Sequence, residues 1–343
     1  MANADNTINI GDAWKGFTAT GFQINIGDVW KNVAIGYINI GDKWLAFYST
    51  LGDRGVFGGG YTNTTVATMD YITISTAGNA TNFGNLQATK QYSASVASAT
   101  RGVFGGGYSY TVSAYLNSIN YITILTTGNS STFGNLTLVK GFGAGVSSST
   151  RGVFCTGSTT ADALTNVMDY ITIASTGNAT DFGDIGNSRD RVAGLSSPTR
   201  GIIAGGRTSG GTVSNIIEYI TIASTGNSTD FGDMASAIYG PAGCSSNIIG
   251  IIAGGYNAGY KNYIDYITIA TTGNSTDFGD LTRNSYAVGA VSNQVRAVFG
   301  GGELTTNIMD YITITTPGNA TDFGDLTVAR EEMPGVSNGH GGL

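Results

Sequence analysis

The feature that most constrains this chain is that it repeats itself six times. The segment Arg54-Gly-Val-Phe-Gly-Gly-Gly-Tyr61 recurs from Arg101 to Tyr108, with looser copies starting at Arg151, Arg200, Ile249 and Arg296. Its second position reads Gly55, Gly102, Gly152, Gly201, Gly250 and Ala297, so successive copies lie 47, 50, 49, 49 and 47 residues apart. Asp70-Tyr71-Ile72-Thr73-Ile74 returns around Tyr121, Tyr170, Tyr219, Tyr266 and Tyr311. Gly78-Asn79-Ala80-Thr81-Asn82-Phe83-Gly84 returns from Gly128, Gly177, Gly226, Gly273 and Gly318. Three markers in fixed order at this period specify an array of one supersecondary unit.

Each unit holds four strand-like runs, such as those around Val146, Val153, Tyr170 and Phe182. β-branched and aromatic residues dominate the second and third runs, as strands prefer. Thr-Gly-Asn between the third and fourth is hairpin chemistry, because Gly and Asn tolerate positive φ. With 53 Gly and only 4 Pro, the chain suits short strands and tight turns. One such sheet is apolar on both faces and cannot bury itself. Six stacked around an axis cover every face and leave few open edges. The expected fold is therefore all-β: a six-bladed β-propeller over residues 49–343, behind a short arm at 1–48. The template of the innermost strand recurs at 329–338, which predicts that this segment closes the ring against the strand around Val56.

The arm carries its own repeat. Ile8-Asn-Ile-Gly-Asp-Ala-Trp14 returns from Ile24 and from Ile38, placing all three tryptophans, Trp14, Trp30 and Trp44, at matching positions. Each copy reads as a strand, a Gly-Asp turn and a second strand led by Trp. Hairpins this small are marginal alone, which points to a module for anchoring or for homo-oligomer formation.

Little in the sequence suggests catalysis. The single histidine, His340, sits in a Gly-rich tail, which works against His-dependent nucleophilic catalysis and multi-imidazole metal sites. No enzyme activity, metal or cofactor is expected. A net charge of −7 argues against nucleic acid as a partner. No apolar run approaches the ~20 residues of a membrane helix, and the first residues lack the pattern of a secretory signal. Cys155 and Cys244 sit in apolar strand patterns and read as buried free thiols. The repeated Asn-x-Ser/Thr triplets, from Asn79 to Asn319, read as turn chemistry. Arg54 and its equivalents read as caps on turns with nearby Asp. Glu331 and Glu332 are adjacent on a strand, so they should point to opposite faces and form no carboxylate pair.

Binding should occur where the repeats differ. Two loop sets vary: one after the glycine strand, one leading into the innermost strand. Both are expected on the same face. They nominate Tyr61, Tyr92, Tyr108, Tyr110, Arg189, Arg191, Arg207, Tyr239, Tyr256, Tyr260, Arg283 and Tyr286, with Lys90 and Lys140 beside them. Tyrosine offers a flat apolar ring and a hydroxyl, which suits sugars and protein surfaces.

An apolar strand ending in Gly-Gly, with a period near 50, resembles the Kelch repeat. The pairs are Gly59-Gly60, Gly106-Gly107, Gly205-Gly206, Gly254-Gly255 and Gly301-Gly302; blade three departs with Thr156-Gly157. The phrasing of the three markers, and of the arm, is similar to repeat proteins of tailed bacteriophages. The resemblance implies a virion structural protein, bound to other virion proteins through its arm. Its propeller would face a host-surface glycan or receptor, or neighbouring subunits. A subunit of an extracellular fibre is the alternative, and a glycan-cleaving enzyme a third.

Overall fold

The computed structural model describes residues 52–159 and 163–343, together with the backbone of six short strands between Thr7 and Tyr48. The chain divides into two units, Met1–Gly52 and Asp53–Leu343.

In the first unit the strands form three antiparallel hairpins. Thr7–Ile10 pairs with Ala13–Gly16, Gln23–Ile26 with Val29–Asn32, and Ile35–Ile40 with Lys43–Tyr48. The register sets Trp14, Trp30 and Trp44 opposite Asn9, Asn25 and Asn39. The side chains of these tryptophans, and with them the anchoring expectation, lie outside the described residues.

The second unit is a six-bladed β-propeller. Each blade is a four-stranded antiparallel sheet in sequential order. Blade two runs Ala94–Ala97, Arg101–Gly105, Ser118–Thr123, Ser131–Asn135. Blade one is assembled from both ends of the unit: Gly335–Ser337 pairs with Arg54–Gly58, setting Val336 opposite Val56. The closing strand is three residues long, shorter than the 329–338 stretch that carries its template.

Six apolar clusters lie at the six blade junctions. Val56, Met69 and Phe83 of blade one meet Phe104, Ile122 and Ile124 of blade two. Phe57, Ile72 and Ile74 close the circle against Val298, Met309 and Phe323 of blade six. The six outer-strand phenylalanines are all buried, each contributing about 1.5–3 kcal/mol. A blade's core is thus completed only by its neighbour, which is why the fold needs a ring.

Polar contacts repeat the same logic. The turn Asn of each blade accepts, through Oδ1, a backbone N–H of the preceding blade: Asn129 from Asn85 at 2.9 Å, Asn227 from Asp184 at 3.0 Å, Asn79 from Asp325 at 3.0 Å. Gly84 must lack a side chain, because a Cβ would press into the Gly128 carbonyl of that turn. The repeated arginines cap no aspartate. Arg101 lies 4.3 Å over the Tyr121 ring and donates to Ile173 O of the next blade at 2.8 Å, and the other four do the same in kind. Blade five, with Ile249 at this position, lacks the bridge. Cys155 and Cys244 are free and buried.

Candidate functional site

The loops after the glycine strands and the loops entering the inner strands pair with each other in every blade. Tyr61 bridges Glu331, Gln91 bridges Tyr108, and Tyr239 bridges Tyr256. Asp190 pairs with Arg207, and Glu303 N donates to Tyr286 O. The glycine pair makes room for this. Gly60 has φ 112° and a Cβ there would lie 2.6 Å from Glu331 O.

At the axis the six entering loops form a closed backbone ring. Tyr92 N donates to Glu332 O, Phe142 N to Tyr92 O, and Arg191 N to Phe142 O; Gly240, Ala287 and Glu332 complete the circle at 2.6–3.1 Å. All six residues have φ between 51° and 66°. That left-handed turn is costly for non-glycine residues. Here it brings Tyr92, Phe142, Arg191 and Glu332 to the mouth of the central channel.

The channel, about 180 Å³, is lined by the small residues of the inner strands. Arg191, Tyr92, Phe142, Tyr286 and Glu332 crowd its mouth. The Tyr92 and Phe142 rings meet at 3.8 Å with a 35° tilt, and Arg191 lies 4.1 Å over Phe142. Arg191 Nε donates to Tyr286 Oη at 2.8 Å, and the Tyr92 hydroxyl donates to Glu332. Burial pushes the Glu332 carboxyl up to about 8 and the Tyr286 phenol to about 12. Toward the opposite end the Gly-rich tail folds back into the channel. His340 Nδ1 accepts from Gly342 N at 3.0 Å, which leaves Nε2–H to donate to Ala97 O at 3.0 Å. Burial holds this imidazole down near 4, so at neutral pH it is an uncharged structural plug. No hydroxyl or thiol nucleophile is hydrogen-bonded to it among the described residues.

Around the mouth, tyrosines form a continuous aromatic belt. On one side Tyr61, Tyr110, Tyr108 and Tyr115 follow one another at 5.1–5.6 Å and reach Phe142 at 6.0 Å. On the other, Tyr286 meets Tyr239 at 5.6 Å and Tyr256 and Tyr260 at 6.4 Å. The Tyr92 and Tyr286 hydroxyls, 3.3 Å apart, join the two halves. Tyr110 is 49% and Tyr260 38% exposed, so the belt reaches solvent at both ends. Arg207 lies over Tyr239 and pairs with Asp190 at 3.0 Å.

Two nominated residues do not belong to this face. Arg189 is fully buried, paired with Glu218 at 2.5 Å. Arg283 is held against Asp310 at 2.9 Å and donates to Gly301 O. Arg189 shares one repeat position with Lys90, Lys140, Ile238, Ser285 and Arg330, whereas Arg283 lies two residues before Ser285 and brings its guanidinium to the same carboxylate place. That position faces Asn120, Asp169, Glu218, Asp265, Asp310 and Asp70 inside the blades. Four blades have both charges. Blade two has a cation facing Asn120, and burial lowers Lys90 to about 7. In blade five Ile238 stands at this position and supplies no cation, and burial raises the Asp265 carboxyl. The residues looked variable because they differ in type. Their buried partners at one place in the blades mark them as scaffold.

The carboxylates also differ from expectation. Glu331 and Glu332 do not alternate, because Glu332 has φ 61° and breaks the strand geometry. Both come near Glu303: Glu331 faces it carboxyl to carboxyl, and its own carboxyl is raised to about 7 by burial and by Glu303. An acidic patch therefore lies between the two halves of the belt.

Comparison with protein-family models and with curated proteins gives no match to this chain.

Proposed function

We propose that the chain is a non-catalytic glycan-binding protein of a virion, held in the particle by its N-terminal hairpins. The observation that carries the binding part is the tyrosine belt. Ten aromatic rings line one face of a rigid ring, with a carboxylate patch and Arg207 among them. Flat rings cover the apolar faces of sugars, while phenol, carboxylate and guanidinium groups take the hydroxyls. The opposite end of each blade carries the repeated turn and no comparable variation. The virion part rests on the resemblance of the repeats and of the arm to phage proteins.

One observation bears on cleavage. Glu303 and Glu331 are paired acids beside the belt, but they touch. Glycoside hydrolysis needs carboxyls roughly 5 Å or more apart, with the sugar between them. The geometry favours binding.

A glycan array tests the reading. The intact chain is expected to retain specific glycans, and Tyr110→Ala with Tyr260→Ala to abolish retention without unfolding. Unchanged retention in that double variant would exclude the face. Imaging of purified particles tests the location, and deletion of residues 1–48 is expected to leave a folded propeller that no longer joins them.

A further inference from the structure

The tail closes the end of the channel away from the aromatic belt. Asn338 N donates to Arg54 O, and Asn338 Oδ1 accepts from Arg54 N at 2.8 Å, which holds the start of the tail to blade one. From there the chain lies across the channel. A Cβ on Gly341 would press into Ser196 O and Ser246 O, and one on Gly342 into Ser147 O. Gln294 Nε2 donates to Gly339 O at 3.2 Å and to His340 O at 3.1 Å. With the bond from His340 to Ala97 O, the tail reaches the five remaining blades.

One side chain fastens it. The imidazole uses both nitrogens: Nδ1 accepts from Gly342 N and Nε2 donates to Ala97 O. A second proton would set an N–H at Nδ1 against the Gly342 N–H, two donors with no acceptor between them. It would also place a charge where nothing answers it. The hairpins at this end, 98–100, 148–150, 197–199, 246–248 and 293–295, carry no charged residue. The arginines that follow four of them lie over tyrosine rings. Asp53 accepts from Ser75 N and Asn293 Nδ2, and the Arg54 guanidinium donates to Leu125 O. Neither these groups nor the carboxylate of Leu343 hydrogen-bonds the ring among the described residues. Arg191 and Glu332 line the same channel at its other mouth.

We propose that residues 339–343 are an acid-released plug: protonation of His340 undocks them and opens this end of the channel while the propeller stays closed. Ring closure does not depend on them, because Gly335–Ser337 pairs with Arg54–Gly58, and Arg330 with Asp70, upstream of the plug. Burial holds the docked imidazole near 4, whereas a free one titrates near 6.5. Docking is therefore at full strength above about 6.5 and weakens as pH falls toward about 4. The loss is about tenfold per pH unit, about 300-fold in total, with no further change below.

The chain has one histidine, so NMR of the full chain follows this imidazole directly, and amide exchange is read in the same samples. The ring is expected to titrate near 4. Protection of the Gly342 and Leu343 amides, corrected for intrinsic rates, should fall about 200-fold between pH 7.5 and pH 3.5. The amides of Val103 and Val153 in the blades should keep theirs. A soluble nitroxide should broaden the amides of Ser147 and Ser196 at pH 3.5 and not at pH 7.5. In His340→Asn, which takes no charge, tail protection should not change with pH. In His340→Arg, which always carries one, the tail should be unprotected at pH 7.5 with the blades intact. A ring titrating near 6.5, equal tail protection at both pH values, or the same fall in His340→Asn overturns the inference. So does a docked tail in His340→Arg, a channel end still closed to the nitroxide at pH 3.5, or blades that lose protection together with the tail.

Discussion

Replacing Arg330 with methionine probes how the ring is locked. Arg330 Nη1 lies 2.9 Å from Asp70 Oδ2, and both side chains are wholly buried. The Thr327 hydroxyl donates to the other carboxylate oxygen at 2.5 Å, and Arg330 Nη2 donates to Phe57 O at 3.4 Å. These contacts tie the last stretch of the chain to the first blade. Arg330→Met keeps most of the volume but leaves Asp70 as a buried, unpaired charge. Breaking one side of such a pair costs about 3–5 kcal/mol. Each kcal/mol moves the midpoint of a unit this size by about 2 °C, so a drop of roughly 5–10 °C follows. Adding Asp70→Asn removes the stranded charge and should restore most of the loss. The assay is thermal and urea unfolding of the four chains of the double-mutant cycle, followed by near-UV circular dichroism. The single variant should also be less impaired at low pH, where the lone carboxyl can be protonated. A cost below about 1 kcal/mol for Arg330→Met, or no recovery in the double variant, would refute the reasoning.

Other outcomes follow from the same contacts. Glu332 is raised to about 8 by burial. Its neutral form favours the fold below the unfolded value near ~4.5, and that contribution is lost as pH rises through about 8. Glu332→Gln should therefore leave stability unchanged at pH 4 and raise it at pH 9, which urea titrations at the two pH values would check. Removing residues 329–343 takes away the inner strand of blade one and Arg330, and should convert a monodisperse fold into an aggregating one on size exclusion. Retained cooperative unfolding would contradict this. Asn227→Ala removes the acceptor for Asp184 N and should cost about 1 kcal/mol in chemical denaturation. Burial raises the Cys155 thiol to about 12, so a thiol reagent should label Cys155 and Cys244 only after unfolding.

The propeller was legible in the sequence because the repeat acts on every level at once. Phe83 and its equivalents, the turn asparagines and the glycine pairs each recur with one period, and each contact crosses to the next blade. Even the closing strand could be read, since Val336 continues the inner-strand template. The face was harder, because difference between repeats does not by itself mean exposure. Lys90, Lys140, Arg189 and Arg283 differ in type but share one buried function. Glu331 and Glu332 misled for another reason: two-residue alternation holds only on a regular strand, and the left-handed turn at Glu332 ends it. The meeting of Arg191 with Tyr286, 95 positions away, has no local signal. It follows from the ring alone, as does the return of His340 into the channel.

Hydrogen exchange on the intact chain, with and without a glycan selected by the array, tests the account most directly. Protection confined to the loops bearing Tyr61, Tyr110, Tyr256, Tyr260 and Glu303 is the predicted result. Protection at the repeated Gly-Asn turns, or none on the propeller, would contradict it.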